Sequence, residues 1–481
     1  IICSDSNTVK NSLISNSIPL TNVEYLETGY NSIWCRDYGP WSVYLSDVDS
    51  LMLVDWTYNR PRPLDDATPS FIADYLGIPR IDMETGNEEL IHTGGNFMCD
   101  GHGTGFSSEL TINENPTLTL SQIETRMMDN MGIDRYIIMP TLPYDVIHHI
   151  DMHLKLLDEE TILAGEYPVG VADGPQIEAN VQYIQNNYTT CFGRPYKIVR
   201  IPMPPDANGN YPDNNGDYRT YTNSLIINGS VIMPAYEEQY DTTAERIYRE
   251  AMPGYAIHQI DCNSIIPSLG TIHCITKEIG EVDPLWISHA PLQNTNNTTT
   301  PYDVVAKIKH ISGINTATLY WSTDTATGYT PVVMTSIGND SFSASIPAQA
   351  NGTTVFYYVS ATAVSGKSAS KPLVAPAGFF KFSVDYVTGI ESNLKKIDHI
   401  YPCYPNPFQA AVRFSFQLWL PETVEITLFD LNGKEIAKPV FGNYPEGYHY
   451  IDFDGMQLAK GVYLAKIQTN SGVSYQKLFR Q

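Results

Sequence analysis

Cys274 lies in Gly270-Thr271-Ile272-His273-Cys274-Ile275-Thr276, a thiol set among small and β-branched residues. A lone cysteine is more often a small core residue than a nucleophile, so its meaning depends on what else the chain offers. The adjacent His273 cannot act as its base if the segment is extended, because neighbours on a strand point to opposite faces. His149 is the candidate base. It belongs to Val146-Ile147-His148-His149-Ile150-Asp151-Met152, apolar enough to read as a buried strand on which His149 and Asp151 project into one cleft. The plainer reading of that pair is a hydrogen-bonded structural contact, since a buried acid needs a partner in any case.

Further segments carry reactive or close-packed groups. Trp34-Cys35-Arg36-Asp37-Tyr38-Gly39-Pro40 joins an aromatic, a carboxylate and a tight turn, although alone it reads equally well as a surface turn. Asn223, in Thr222-Asn223-Ser224, is either a strand-end cap or a substrate contact. Thr93-Gly94-Gly95-Asn96 suggests a backbone that closely approaches something, or glycines that only make turns. His92, Cys99 and His102 lack a fourth ligand at zinc-type spacing, so no metal site is assigned to them.

One substrate type unites these groups. A guanidinium is cationic at any working pH and offers five planar donors, which calls for paired carboxylates such as Asp37 and Asp151. Its central carbon is electron-rich and needs a strong soft nucleophile, a role for the Cys274 thiolate. Ammonia must leave with a proton, and a histidine such as His149 can give it and then activate water.

The elements that must position these residues fill the first 290 or so. Ile123, Met127 and Met131, four apart, predict a helix capped by Ser121 and stopped at Gly132. Ile177, Val181 and Ile184 predict a second helix, and Ile247 and Ala251 a third. Strands are predicted at Leu51–Trp56, Tyr136–Met139, Thr161–Ala164 and Tyr196–Ile201, and a hairpin about Asn228-Gly229. Helices do not follow every strand, which predicts a mixed α/β layout rather than a doubly wound parallel sheet.

Gln293 to Thr300 is rich in Asn and Thr and reads as a linker. Beyond it, strands at Thr318–Trp321, Pro331–Met334, Ser341–Ile346 and Val355–Ala361, with turns at Asn339-Asp340 and Asn351-Gly352, predict a β-sandwich. A second break covers about 386 to 398. The last block is read as all strand, from Pro405-Asn406-Pro407-Phe408 through Val424–Leu428, Tyr448–Phe453 and Val462–Ile467, with turns at Asn432-Gly433 and Ser471-Gly472.

With 29 Lys and Arg against 53 Asp and Glu, the net charge is -24, which argues against nucleic acid and anionic lipid and favours cationic substrates. No apolar run is long enough for a transmembrane helix. The 7 cysteines show no C-x-x-C pair and no disulfide-scaffold spacing. The opening Ile1-Ile2-Cys3 reads as a strand inside a domain, with a signal peptide expected upstream.

Trp34-Cys-Arg-Asp37-Tyr-Gly-Pro, His149-Ile-Asp151, Thr222-Asn223-Ser224 and Ile272-His273-Cys274, in this order, resemble the guanidino-modifying pentein superfamily, which holds agmatine deiminases and Porphyromonas-type bacterial peptidylarginine deiminases. Tyr58-Asn59-Arg60-Pro61-Arg62-Pro63 resembles the segment of the latter in which two arginines hold the carboxylate of a C-terminal arginine. Tyr404-Pro-Asn-Pro-Phe408, Leu428-Phe-Asp-Leu-Asn-Gly433 and Gly461-Val-Tyr-Leu464 resemble a type IX secretion sorting domain.

The resemblance implies a five-bladed pseudosymmetric α/β propeller over 1–292, its first strand and helix missing. An immunoglobulin-like β-sandwich over 293–385 and a sorting domain over 399–481 would follow. It implies a secreted or outer-membrane-attached hydrolase of a Gram-negative bacterium. Peptidyl arginine, with C-terminal arginine preferred, would be converted to citrulline through a covalent thiouronium on Cys274. His149, Asp37 and Asp151 complete the catalytic set. Trp34, Ile147 and Asn223 would line the site, and Arg60 and Arg62 would clamp the carboxylate. Its partners would be arginine-bearing proteins or peptides and the secretion machinery. No cofactor is needed, and a structural calcium or sodium ion is compatible with this reading, although no EF-hand-type loop is present. The alternatives are a deiminase of agmatine or free arginine, and a non-catalytic adhesin for arginine-rich ligands.

Overall fold

The computed structural model describes residues 1–481 apart from 169, 386–398, 401–402, 419–420, 432, 446 and 470–471. The break at 386–398, Asn432 of one expected turn and Ser471 of another therefore lie outside the described residues.

The first part of the chain repeats one plan. Two strands form an antiparallel hairpin, a helix follows, and a third strand returns parallel to the second, as a parallel pairing requires a crossover. Trp41–Leu45, Ser50–Tyr58 and Arg80–Met83 do this first. Met98–Cys99, Thr104–Ser108 and Arg135–Met139 repeat it. So do Leu154–Leu156, Thr161–Glu166 and Lys197–Pro202, and then Leu225–Ile227, Ser230–Ala235 and Ala256–Asp261. A fifth small sheet pairs Ile2–Cys3 with Leu26–Glu27 in parallel.

Ile2–Cys3 leads into a helix over Ser6–Ser15, started by Asp5, whose side chain accepts from the backbone N–H groups of Asn7 and Thr8.

The predicted helices form and pack between neighbouring units. Ile123, Met127 and Met131 lie on the helix Leu120–Met131 and pack with Val54, Trp56 and Phe97. Burying side chains such as Ile123 and Met127 contributes about 2 kcal/mol each. The cap is Thr119, two residues before the expected Ser121, because Thr119 and Gln122 form a reciprocal capping box. Gly132 ends the helix at φ 68°. Val181 and Ile184, on Gly174–Asn187, pack with Phe106 and Ile137, and Ile247, on Glu238–Ala251, packs with Ile201 and Met203.

Farther along, the sheets are antiparallel. Trp286–Ser288, Tyr302–Lys309, Ser341–Ile346 and Thr335–Gly338 form one, so its first strand lies ahead of residue 293. Ile314–Ser322, Thr330–Val333, Thr353–Ala363, Ser368–Lys371 and Phe380–Val384 form the facing one. Their inner faces share a core of Val304 and Ile346 from the first sheet with Leu319 and Val355 from the second. Two more sheets follow, with Val424, Ile426, Leu428 and Ile467 buried between them. Pro405–Phe408 is not a strand: only Tyr404 and Phe408 make isolated bridges, to Arg413 and Arg480, since proline has no N–H for a ladder.

Candidate active site

The segments bearing the predicted chemistry occupy equivalent places in the repeat. Asp37, Gly94–Asn96, His149–Asp151 and Asn223 each lie shortly before a hairpin, and Cys274 follows the last parallel strand. Hydrogen bonds join them into a ring. Gly95 N–H donates to Asp37 Oδ1 at 3.1 Å, and Ser108 donates its backbone N–H to Asn96 and its hydroxyl to the His148 carbonyl. Thr222 Oγ1 donates to the Asp151 carbonyl at 2.9 Å, His273 N–H to the Asn223 carbonyl at 3.1 Å, and Arg36 N–H to the Cys274 carbonyl at 3.1 Å. Five separate loops are thereby fixed about one centre.

Cys274 is 2% exposed. Asn223 Nδ2 donates to its Sγ at 3.2 Å, while Asn223 Oδ1 accepts from Thr271 N–H at 3.0 Å and Thr271 Oγ1 at 2.9 Å. The amide is therefore oriented with its donor toward sulfur. Asp151 Oδ2 lies 3.8 Å from the same sulfur. Burial pushes the Cys274 thiol well up from its ordinary value, and the carboxylates of Asp151 and Asp37 push in the same direction; the Asn223 contact opposes them.

His149 and Asp151 both reach this pocket, but not from a strand. His148 takes a left-handed φ of 58° and the chain turns into a 3-10 turn over Ile150–Met152, which breaks the extended run that apolar content suggested. His149 Nδ1 stands 3.6 Å from Asp37 Oδ1. Burial lowers its pKa, so the free site holds a neutral imidazole; Asp37 opposes that shift and Arg60 reinforces it. Burial and then Asp37 raise Asp151 well above the usual carboxylate range.

The glycines are where backbone and side chains meet. A Cβ on Gly95 would fall 2.5 Å from His149 Nδ1 and 2.8 Å from Asp37 Oδ1, and one on Gly94 would fall 2.0 Å from the Arg36 carbonyl oxygen. A Cβ on Gly270 would fall 2.8 Å from Trp34 Cζ3 and 2.9 Å from Cys274 Sγ, which places the half-buried indole of Trp34 beside the nucleophile. Ile147 is half-buried against the core that contains Met152 and Ile272. Arg62 Nη1 donates to Tyr58 Oη at 3.1 Å, and Arg60 is exposed, near enough to bear on the charge of His149.

Two residues carry roles that the sequence did not assign. Arg36, fully buried, forks onto Glu278 at 3.0 and 2.5 Å and donates from Nε to the His273 carbonyl at 3.2 Å. The signal was an arginine inside the Trp34–Pro40 motif and a glutamate just after Cys274. His273 lies in a turn over residues 272–275 rather than the extended segment considered above, and its Nδ1 lies 2.6 Å from Asp151 Oδ2, the oxygen that also faces the Cys274 sulfur.

His92 stacks on Trp56 at 4.4 Å and meets Tyr136 Oη at 2.8 Å, whereas His102 lies 3.8 Å from Glu159. Among the described residues no three His, Cys, Asp or Glu are placed to hold a metal ion, and all 7 cysteines are free thiols.

Residues 1–279 match the family described as Porphyromonas-type peptidyl-arginine deiminase, and residues 402–481 match the secretion system C-terminal sorting domain. A candidate agmatine deiminase of Streptomyces avermitilis is 27% identical over 277 residues, covering 53% of this chain and 77% of the relative. The agmatine deiminase of Pseudomonas syringae pv. tomato is 25% identical over 292 residues, covering 54% and 78%. The crystal structure of a candidate arginine deiminase from Porphyromonas gingivalis superposes with a TM-score of 0.50 at 22% identity, over 57% of this chain and 82% of that one, a likeness of fold.

Proposed function

The chain belongs to the Porphyromonas-type peptidyl-arginine deiminase family, and from that premise we propose that it converts peptidyl arginine, with C-terminal arginine preferred, to citrulline and ammonia. It is a guanidino-group deiminase, and its C-terminal block is a type IX secretion sorting domain, so it is exported or held at the cell surface of a Gram-negative bacterium.

The observation that carries the reading is the buried set of one thiol, two carboxylates and one imidazole, with Asn223 aimed at the thiol. Asp37 and Asp151 bind the guanidinium nitrogens, and Trp34 packs on the flat face of the side chain. Burial first, and then the two carboxylates, hold the Cys274 thiol protonated; the entering cation offsets the carboxylates' charge, so substrate itself brings sulfur toward the thiolate. His149, neutral in the free site, takes the thiol proton as sulfur bonds to the guanidino carbon. The resulting tetrahedral adduct expels one nitrogen as ammonia, with His149 supplying the proton, and leaves a cationic thiouronium. His149, now neutral, takes a proton from water as its oxygen bonds to the same carbon. The carbon–sulfur bond breaks, the thiol is restored, and the ureido group of citrulline departs. The overall balance is guanidinium plus water to urea-type product plus ammonium. The steps use only this chain's residues and water.

Arg60 and Arg62 favour a substrate carrying a carboxylate beyond its guanidinium. The second reading, an agmatine deiminase, has the names of the curated relatives in its favour. Competition between a peptide ending in arginine and agmatine separates the two: the peptide should give the higher kcat/KM, and turnover of agmatine alone would overturn the peptide assignment.

A further inference from the structure

We infer that His273 is a positioning residue for the reaction: its Nδ1–H fixes Asp151 through Oδ2 and leaves Oδ1 to take the guanidinium. The inference rests on the deiminase reading of the site.

The geometry is specific. Nδ1 and Oδ2 are 2.6 Å apart. Burial raises the Asp151 pKa, but the guanidinium it is to bind demands the ionised form, and an ionised carboxylate only accepts, so in the substrate-binding state the imidazole donates. The same Oδ2 is the one 3.8 Å from Cys274 Sγ, while Oδ1 is buried without a hydrogen-bond partner among the described residues. A carboxylate held through one oxygen cannot rotate its free oxygen away from an incoming cation. His273 is itself held at both backbone ends, its N–H on the Asn223 carbonyl and its own carbonyl receiving Arg36 Nε at 3.2 Å.

Adjacency to Cys274 makes this arrangement work. In the turn over residues 272–275 the two neighbouring side chains converge on one carboxylate oxygen, Nδ1 at 2.6 Å and Sγ at 3.8 Å. The charged and titratable groups around the pair are Asp37, Arg36, Lys155 and Asp145 about Asp151, with Lys277 and His149 also facing His273. Burial foremost, then the cations Arg36, Lys155 and Lys277, keeps His273 neutral, with its pKa far below the ordinary histidine value. It therefore remains a one-proton donor across the working range.

The test compares His273→Leu with His273→Asn, whose Nδ2 can stand in for Nδ1. Ammonia release is followed against pH with both a C-terminal-arginine peptide and agmatine. His273→Leu should lower kcat/KM by about 10- to 100-fold, the loss expected for a hydrogen bond to a charged group, and move the acid limb of the profile to higher pH. His273→Asn should keep most of the activity and the wild-type limb. Equal losses in the two variants, or an unmoved limb in the leucine variant, would overturn the inference. The wild type supplies an independent reading should the leucine variant not fold. In 15N-histidine-labelled enzyme, His273 should be the neutral Nδ1–H tautomer, with that signal altered by Asp151→Asn. An Nε2–H tautomer would overturn the inference. Ammonia from neither substrate with wild type would instead remove the deiminase reading, while the tautomer still reports on the pair.

Discussion

Gly95 and His149 are packed so closely that a Cβ on the glycine would lie 2.5 Å from Nδ1 of the imidazole. The backbone there takes no unusual φ, so the requirement for glycine is one of space, set by His149 on one side and Asp37 on the other. Gly95→Ala should displace the imidazole, and a displacement of about 1 Å in a reacting group lowers kcat by on the order of 100-fold. Steady-state kinetics beside a thermal melt check this: activity should fall far more than stability.

Cys274 should be a poor nucleophile in the free enzyme. Its thiol pKa is raised, so at neutral pH it is protonated, and alkylation by neutral chloroacetamide should be slow and increase as pH rises. Chloroacetamidine is a planar cation of similar size that brings its own positive charge between Asp37 and Asp151. It should alkylate Cys274 faster than chloroacetamide at pH 7, and Asp151→Asn should shrink the ratio. Peptide mass mapping of the labelled cysteine measures both.

Asn223 is the donor that opposes the rise in the Cys274 pKa. Asn223→Asp removes that donor and adds a negative charge next to sulfur. By the size of effects from single oriented donors, kcat should drop about 100- to 1000-fold. Stability should change less, because the aspartate still accepts from Thr271 N–H and Oγ1. Stopped assays of ammonia release with thermal melts separate the two effects.

Arg36 and Glu278 form a structural pair whose loss should appear as instability. Glu278 is itself exposed while Arg36 is fully buried, so Glu278→Ala should cost about 2 kcal/mol, the range for lost hydrogen bonds to a charged group rather than for a fully buried pair. Burial opposes ionisation of Glu278, but the Arg36 charge, the fork and Lys277 overcome it and bring its pKa down to about 2. A lowered folded-state value gives stability that is complete above the unfolded glutamate pKa and is lost as pH falls toward 2. Urea unfolding at pH 6 and pH 3 should show the wild type losing stability while Glu278→Ala loses less over the same interval.

Arg60 and Arg62 should matter to one end of the substrate. Changing both to alanine should raise KM for a peptide ending in arginine by about 10-fold or more, as a lost charge-assisted contact implies, with little effect on agmatine. An unchanged peptide KM would leave both arginines without a part in recognition.

Much of the site could be read from residue types, because thiol, imidazole and paired carboxylates are scarce and each has a chemical reason to be present. Cys274, Asp151, Asn223, His149 and Asp37 do meet at one centre. The route by which His149 and Asp151 reach it differs from the expected strand. Apolar content in Val146–Met152 reports burial, and burial is equally compatible with the 3-10 turn that His148 initiates through a positive φ. The helix cap differs from the expected Ser121 for a related reason: Ser121 and Thr119 are both capping types, and only the reciprocal contact with Gln122 decides between them. Arg36 and His273 act through partners distant in sequence, Glu278 and Asp151, and no local pattern announces such pairs.

The most direct measurement is citrulline and ammonia release from a peptide ending in arginine, with wild type and Cys274→Ala side by side. Release in equal amounts by the wild type, with none from the variant, is the predicted result. Equal release by both would contradict Cys274 as the nucleophile, and release by neither while both bind the peptide would contradict the enzymatic account itself.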